Sequence, residues 1–460
     1  MTSTAPSATS TATTSGANDL PGPPTVRTLG EYRTLRTDGL SWVEARRARY
    51  GDIFALRPPL GLAPLFVFAC SPSAIRSALT DPATFPKESP VYEEMAASLG
   101  DGLLTSEGDR WKAQRRTLQP LFTRKRVAAY GDAFVDAASS VVADWPTDGR
   151  VDLDRQMQRV SLRSVSVTLF GTDVTDQVEP IVEAVDVVSA LLVKRGTSPI
   201  RLPRWAPVPD NRRRKAAEDE LTQRIDDLVR RSRESGTRTD DLVSLLVHAT
   251  DPETGEHLSD VDIREQALVH FVAGYDTTST AMTFALHLLG HHREWQDRIR
   301  EEVRGIAGDR PLTTEDVPRL EVTRRCVDEA LRLHPSAYIT SRSTTADTEL
   351  DGHPIPAGTV VATSFHALHR NPSVWDDPAR FDPDRFLPER VAERDTYAYL
   401  PFGGGPRACI GSHFALLEAT LGIATIVAAR DITTSPVRVP VTLGVTQRPS
   451  APVGAEVRAV

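Results

Sequence analysis

The sequence feature that most limits the possible folds of this chain is a glycine-rich loop that precedes a predicted helix. The loop reads Phe-Gly-Gly-Gly-Pro-Arg-Ala-Cys-Ile-Gly over residues 402–411, and apolar residues recur at helical spacing after it. A cysteine at this place lies at or beside a helix N-terminus, where unpaired N–H groups favour negative charge and lower a thiol pKa. The three consecutive glycines let the backbone turn sharply and direct N–H groups at the sulfur. We therefore predict that Cys409 binds a metal as a thiolate; the alternative is a buried structural cysteine beside a turn.

The complete pattern Phe-x-x-Gly-x-Arg-x-Cys-x-Gly resembles the haem-ligand loop of the cytochrome P450 family. The resemblance covers roughly residue 21 to the C-terminus, because further motifs of that family follow in order. It implies a haem b whose iron is bound by Cys409, and an axial thiolate favours oxygen–oxygen cleavage. It also implies that Phe402, Arg407 and Gly411 belong to the cofactor site, where the missing side chain of Gly411 leaves room for a flat ring.

A second motif lies inside a long helical pattern over residues 259–289, which starts with a capping-box-like sequence. Its middle reads Ala-Gly-Tyr-Asp-Thr-Thr over residues 273–278. Glycine and hydroxyl residues are poor helix formers, so we expect an interruption of the helix here; a kink without chemical role is the alternative. The pattern resembles the family's Ala-Gly-x-Asp-Thr. That implies that Thr277 helps to protonate dioxygen during its activation and that Asp276 relays protons from solvent.

The same resemblance implies cofactor-binding roles for several arginines. Trp111 and Arg115 lie four residues apart on one helix face, as in the family's Trp-x-x-x-Arg, whose members hydrogen-bond a haem propionate. Arg342 and Arg407 correspond to further propionate partners. Arginine suits this task because its planar fork binds a carboxylate through two donors and keeps its charge.

A Glu-x-x-Arg pair, Glu329 and Arg332, is within salt-bridge reach on one helix face. The sequence Pro-Asp-Arg-Phe follows some fifty residues later and contains Arg385. The resemblance implies that these three residues form a structural triad that holds the backbone near the haem loop. A buried ionic cluster of this kind fixes geometry more than it adds stability.

The substrate pocket is less clearly marked. The resemblance implies mostly small or apolar lining residues, namely Ala273, Ala337, Tyr338, Ile339 and Val445. The segment 203–210 interrupts two helical patterns and is a candidate mobile lid. We expect an apolar substrate of secondary metabolism, such as a terpenoid, a fatty acyl chain or a polyketide.

Composition limits the remaining possibilities. The first 18 residues are nearly all Ser, Thr, Ala and Gly, so we predict a disordered tail over residues 1–20 and one domain over residues 21–460. The net charge of −8 gives no reason to expect nucleic acid as a partner. Three cysteines are too few for a disulfide framework and fit a reducing, cytoplasmic compartment. Neither a signal peptide nor an apolar run of the ~20 residues that cross a bilayer is predicted, as in soluble bacterial members of the family.

Helical periodicity dominates residues 109–334, whereas short strands are predicted within 53–56, 65–70, 348–365 and 437–446. The fold class is therefore mainly α with a small β portion. The resemblance implies the cytochrome P450 fold, in which a long central helix crosses the haem.

The leading hypothesis is a monomeric haem-thiolate monooxygenase that inserts one atom of dioxygen into its substrate. Its electrons would come from NAD(P)H through a ferredoxin and its reductase, because no flavin or iron–sulfur segment is fused to the chain. Seven basic residues between 110 and 126 are a candidate docking patch, with a solvated helix face as the alternative. The alternative functions are a peroxide-driven haem-thiolate enzyme and a non-catalytic haem-binding protein, neither of which needs Asp276 and Thr277.

Overall fold

The computed structural model describes residues 20–24, 28–58, 64–171, 175–196, 198, 202–235 and 239–460. Residues 1–19, nearly the whole predicted tail, lie outside these ranges. The described chain is mostly helical, as predicted. The helices are α1 (Thr28–Thr37), α2 (Gly39–Tyr50), α3 (Pro72–Thr80), α4 (Pro90–Leu99), α5 (Gly108–Leu118), α6 (Arg124–Ala128), α7 (Gly131–Ala143), α8 (Leu153–Phe170), α9 (Thr175–Gly196), α10 (Pro209–Ser235), α11 (Leu242–Val247), α12 (Asp260–Leu289), α13 (Arg293–Ala307), α14 (Glu321–Leu333), α15 (Phe365–His369), α16 (Pro388–Glu393) and α17 (Ser412–Ala429).

The β portion consists of short strands in small sheets. The strands are β1 (Ile53–Leu56), β2 (Phe66–Ala69), β3 (Asp148–Asp152), β4 (Ile339–Ser343), β5 (Thr348–Leu350), β6 (His353–Ile355), β7 (Val360–Ser364), β8 (Arg430–Thr434), β9 (Val441–Leu443), β10 (Gln447–Pro449) and β11 (Gly454–Ala459). One sheet has the order β1-β2-β7-β4, a second has the order β3-β11-β8, and β5-β6 and β9-β10 are two-stranded.

The predicted hairpin near the N-terminus is confirmed. Strands β1 and β2 pair antiparallel with Ile53 opposite Ala69, and their alternating apolar residues are buried. Strand β7 extends this sheet in parallel with β2, with Phe66 opposite Val360. The prediction for residues 437–446 was partly wrong, because only Val441–Leu443 is a strand there and its partner β10 lies beyond the predicted stretch.

Helix α12 is the central element of the helical part. Ser259 caps it in a full capping box with Asp262, as the sequence predicted. Most of its residues are buried, and it packs against α8, α14 and α17. The predicted interruption is not observed: the helix is continuous through residues 273–278, because packing against α8 offsets the weak helix propensity there. The Thr277 hydroxyl bonds to the Ala273 carbonyl within one turn (2.7 Å).

Helix α17 is long and apolar enough to cross a bilayer by length and composition, which the sequence analysis did not anticipate. More than half of it, 56%, is buried inside the fold. Its neighbours are α7, α12, α13 and α14. That is the environment of a core helix, whose whole circumference can be apolar.

Candidate active site

A cavity of about 660 Å³ lies where α12, the loop 402–411, α4, β4 and the β9–β10 hairpin meet. All of the predicted metal-binding, cofactor-binding, catalytic and pocket residues line it. They are Trp111, Arg115, Ala273, Asp276, Thr277, Ala337, Tyr338, Ile339, Arg342, Phe402, Arg407, Cys409, Gly411 and Val445. These residues come from five separate stretches of the chain and lie around the same cavity.

The cysteine loop is shaped by its glycines. Gly403 and Gly405 adopt φ values of 70° and 66°, which favour glycine, and a Cβ on Gly405 would meet the Leu79 carbonyl oxygen at 2.1 Å. The turn closes with a hydrogen bond from the Cys409 N–H to the Phe402 carbonyl (2.9 Å). Helix α17 begins three residues after the cysteine, as predicted, so the sulfur lies beside a helix N-terminus and faces the cavity.

The pKa of the Cys409 thiol is raised above its usual value, whereas the sequence analysis predicted a lowered pKa. Desolvation by the surrounding protein raises it, while the Gly411 N–H and the charges of Arg115 and Lys87 act in the opposite direction. The expectation of a lowered pKa was therefore wrong for the protein chain by itself. The helix terminus and the two cations offset only part of the desolvation.

Four cations gather beside the cysteine loop: Lys87, Arg115, Arg342 and Arg407 all line the cavity. One carboxylate, that of Glu107, pairs with Arg407 at 2.5 Å. Arg342 donates to the Thr340 hydroxyl and the Ser341 carbonyl, Arg115 to the Ala408 carbonyl, and Lys87 to the Leu104 carbonyl. Within the described residues this cluster therefore has an excess of positive charge.

Two further observations show that the cluster is short of an anion. The Arg407 guanidinium lies over the Trp111 ring (4.2 Å to its centre), and its Nη1 is buried without a hydrogen-bond partner in the described chain. Desolvation acts to raise the pKa of the half-buried Tyr92, yet the charges of Lys87 and Arg342 and a hydrogen bond with Thr340 lower it overall. Lys87 was not predicted, because the segment before α4 carries no recognisable motif.

The acid and the alcohol of the second motif lie in adjacent positions of α12. The Thr277 hydroxyl donates to the Ala273 carbonyl, and the Thr277 carbonyl accepts from the Ser336 hydroxyl (2.7 Å). The neighbouring Asp276 is only 3% exposed. Its Oδ2 accepts from the Thr446 hydroxyl (2.5 Å) and its Oδ1 from Arg448 Nε. Neither partner was predicted.

The predicted triad is assembled away from the cavity. Arg332 binds Glu329 through two parallel hydrogen bonds (2.7 and 2.8 Å), and Arg385 lies 3.4 Å from the same carboxylate. Arg332 also donates to backbone carbonyls of the segment 369–380, and the Asp382 N–H donates to Glu329. The triad thus joins α14 to the irregular segment that leads toward the cysteine loop.

The comparisons with known proteins agree with this geometry. The family described as Cytochrome P450 matches residues 20–444. This chain is a member of the cytochrome P450 family. It is 36% identical to cyclooctat-9-en-7-ol 5-monooxygenase of Streptomyces melanosporofaciens, over 88% of this chain and 87% of that protein. It is 33% identical to pentalenene oxygenase of Streptomyces avermitilis, over 86% of this chain and 90% of that protein.

As a cytochrome P450 monooxygenase, the protein uses haem b, dioxygen and electrons derived from NAD(P)H. The residues present fit this cofactor. The Cys409 sulfur opens on the cavity, a Cβ on Gly411 would meet only that sulfur at 3.9 Å, and the cation cluster includes the unpartnered Arg407 Nη1. Cys409 would bind the iron, and Arg115, Arg342, Arg407 and Lys87 would hold the two propionates. When bound, the haem supplies the redox chemistry.

The structure narrows the predicted docking patch of this P450. Arg110 pairs with Asp101 and Asp262, Lys112 pairs with Asp109, and Arg116 pairs with Asp251. Arg115 faces the cavity instead of the surface. Arg126 lies 4.0 Å from Asp240, so the exposed cations that remain are Arg124 and Lys125, on α6 next to the start of α17. The docking role stays a prediction, now confined to this smaller patch.

The candidate lid follows α9 and precedes α10, where the sequence placed it. Arg204 in this segment donates to Glu94 of α4 (2.8 Å) and to Glu218 of α10 (2.8 Å). Arg195 of α9 binds the same Glu94 through two hydrogen bonds. The candidate lid segment is thus joined to α4 and α10 by Glu94 and Glu218, and no sequence pattern marked the buried Glu94.

Proposed function

We propose that this P450 hydroxylates an apolar substrate of the terpenoid class. The supporting observation is the cavity, in which Cys409 and the Asp276–Thr277 pair share a volume lined largely by aliphatic and aromatic side chains. The names of two relatives refer to cyclooctat-9-en-7-ol and pentalenene as their substrates. A fatty acyl chain or a polyketide remains the alternative within the same reaction.

The chain's own residues would contribute binding, exclusion of water and proton delivery. Val269, Val272, Ile339 and Val445 line the cavity and would hold an apolar substrate in a dry site. The Thr277 hydroxyl would donate or accept a proton at the cavity wall, and Asp276 would supply it from the interior side of α12. A peroxide-driven enzyme or a non-catalytic haem protein would have no use for this pair.

We further infer that a ferredoxin with its reductase reduces the haem of a cytoplasmic, monomeric enzyme. The exposed charges of Arg124 and Lys125 lie next to the start of α17, where Arg124 contacts His413, and would attract an acidic partner. Association with such a partner would weaken as salt screens these exposed charges.

A substrate screen by spin-state shift tests the proposed class. We expect cyclic terpenoid alcohols and hydrocarbons to shift the haem absorption, whereas fatty acids and polyketide lactones of equal size would not. Cys409→Ala is the control, because it should abolish the thiolate-type band of the reduced carbon monoxide complex. A response to fatty acids alone would reject the terpenoid proposal and leave the haem assignment intact.

A further inference from the structure

His369 is the last residue of α15 and links this helix to the segment that precedes the cysteine loop. Its side chain is fully buried, and its Nε2 accepts a hydrogen bond from the Leu400 N–H (2.8 Å). Leu400 precedes the loop 402–411 by two residues and lies outside the helices and strands. Its amide is therefore bonded to an imidazole, where a regular element would supply a carbonyl.

The bond to Leu400 continues a path of hydrogen bonds that starts at the buried ionic cluster of α14. Arg332 of that cluster donates to the His369 carbonyl (2.7 Å). The Leu400 carbonyl in turn accepts from the Gly403 N–H (3.1 Å), which belongs to the cysteine loop. The imidazole thus joins the cluster to the backbone that shapes the loop.

The direction of this bond determines the protonation of the imidazole. A backbone N–H can only donate, so Nε2 carries a lone pair and the ring is neutral, with its proton on Nδ1. Burial and the charge of Arg332 lower the pKa of His369 well below its usual value, which agrees with a neutral ring.

The imidazole is a costly choice at this place. Its Nδ1 is buried and has no hydrogen-bond partner among the described residues. An apolar side chain would leave no such group unsatisfied. What the imidazole of His369 offers over an apolar side chain is the bond to Leu400.

A second buried histidine of the same helix provides a comparison. His366 lies one turn earlier on α15, and its Nε2 bonds to Glu44 of α2 (2.5 Å). Of these two imidazoles, it is His369 that contacts the segment leading to the cysteine.

We propose that His369 is a positioning residue for the haem ligand, because the lone pair of its neutral imidazole holds the backbone at the entrance to the cysteine loop. A fixed entrance keeps the Cys409 sulfur in the place where it binds the iron. This role depends on ligation of the haem by Cys409 and is independent of the class of the substrate.

Amide exchange at Leu400 tests the link in the haem-loaded enzyme. His369→Phe keeps an aromatic ring without the acceptor, whereas His369→Gln keeps an acceptor oxygen. We expect the Leu400 amide to exchange about three- to tenfold faster in His369→Phe, as loss of one neutral hydrogen bond predicts, and within about twofold of the wild-type rate in His369→Gln. His366→Phe is the matched control and should leave the exchange of Leu400 unchanged.

The consequence for the haem ligand is measured in the reduced carbon monoxide complex. The share of the thiolate-type band per bound haem should fall in His369→Phe, and His369→Gln should restore it. A merely structural role predicts the reverse order, because an apolar ring suits a buried site better than an amide does.

Wild-type exchange of Leu400 in His369→Phe would overturn the proposal, and so would equally fast exchange in the His366→Phe control. Faster exchange with an unchanged thiolate-type band would reject the link to the haem ligand. If His369→Phe does not fold, His369→Gln decides alone, since it must take up haem, protect the Leu400 amide and give the thiolate-type band. Loss of any of these three in the glutamine variant would reject the role of the lone pair.

Discussion

The Thr277 hydroxyl makes one hydrogen bond, to the Ala273 carbonyl, and otherwise faces the cavity. Thr277 directly follows the buried Asp276, and of the two neighbouring hydroxyl residues, Tyr275 and Thr277, it is Thr277 that lines the cavity. The helix stays continuous around it, so its substitution should leave the fold intact.

We therefore expect Thr277→Ala to retain the haem spectrum and substrate binding while electrons are diverted to peroxide. The yield of product per NAD(P)H should fall by about one order of magnitude or more, as expected for loss of a positioned proton donor. Thr277→Ser keeps a hydroxyl and should recover most of the yield. A wild-type yield in the alanine variant would remove Thr277 from proton delivery.

Burial changes the pKa of Glu418, which lies on α17. It is fully buried, accepts a hydrogen bond from the Ser161 hydroxyl (2.9 Å), and its Oε2 has no partner among the described residues. Burial raises its pKa to about 8 from the usual 4.5. Between these two values the folded protein keeps a proton that the unfolded chain has lost, so its contribution to stability decreases as pH rises through this window.

We expect Glu418→Gln to remove this dependence. From pH 5 to pH 8 the wild type should lose on the order of 2–4 kcal/mol more unfolding free energy than the variant, measured by urea denaturation. Glu321→Gln, an exposed glutamate on α14, is the control and should behave as wild type. If the unfolding free energy of the wild type and that of Glu418→Gln change by the same amount between pH 5 and pH 8, the pKa of Glu418 is not raised.

Where a motif is contiguous, the sequence predicted which residues lie at the cavity, while their roles stay predictions. Cys409, Thr277 and the loop glycines stand in short patterns whose spacing determines their geometry. Arg448 and Lys87 could not be found in this way, because each meets its partners only after distant segments pack together. The direction of the Cys409 pKa failed for a related reason, since desolvation depends on the whole surrounding fold.

At the scale of elements, α14 is fixed by its buried ionic cluster. Glu329 and Arg332 are both 0% exposed, and their bonds replace the water that each charge has lost. Removing one partner leaves the other charge buried and uncompensated, which costs more than the pair itself contributes. The junction between α14 and the segment 369–385 depends on this cluster.

Glu329→Gln should accordingly lower the unfolding free energy by about 3–5 kcal/mol and reduce haem retention. The urea midpoint and the haem content of the purified protein measure both effects. Glu321→Gln, at the first position of the same helix, should change the stability by less than ~0.5 kcal/mol. A loss equal to that of the control would show that the triad does not stabilise the fold.

Element-level prediction succeeded for long periodic stretches and for the β1–β2 hairpin. Helix α12 was predicted with its cap because Ser259 and Asp262 form a local signal. The interruption expected from Gly274 and Thr277 did not occur, since packing on α8 offsets weak helix propensity. Strand β10 was missed because its three residues gain their partners only from β9.

At the scale of the molecule, the sheets join parts of the chain that are far apart in sequence. Strand β11 lies between β3 and β8, with Val457 opposite Gly149 on one side and Ile432 on the other. Val457 is 1% exposed and Ala455 3%. A single cooperative domain over residues 21–460 remains a prediction, and these contacts are its strongest support.

Deletion of residues 454–460 should lower the melting temperature by at least ~5 °C, because it removes the central strand and the buried Val457. Deletion of Val460 alone, which is 64% exposed, is the control and should have little effect. Circular dichroism and the haem band should report the same transition in the shortened protein. Two separate transitions would contradict the single domain.

Strand β3 lies early in the chain, and its partner β11 follows about 300 residues later. A ribosome that adds roughly 5–20 residues per second needs about 15–60 s to cover that distance. During this interval the edge of β3 has no neighbour, and Asp152, which caps α8, still lacks its bond from the Val453 N–H. The nascent chain therefore has a defined period of vulnerability to misassociation, and it ends only when β11 leaves the ribosome.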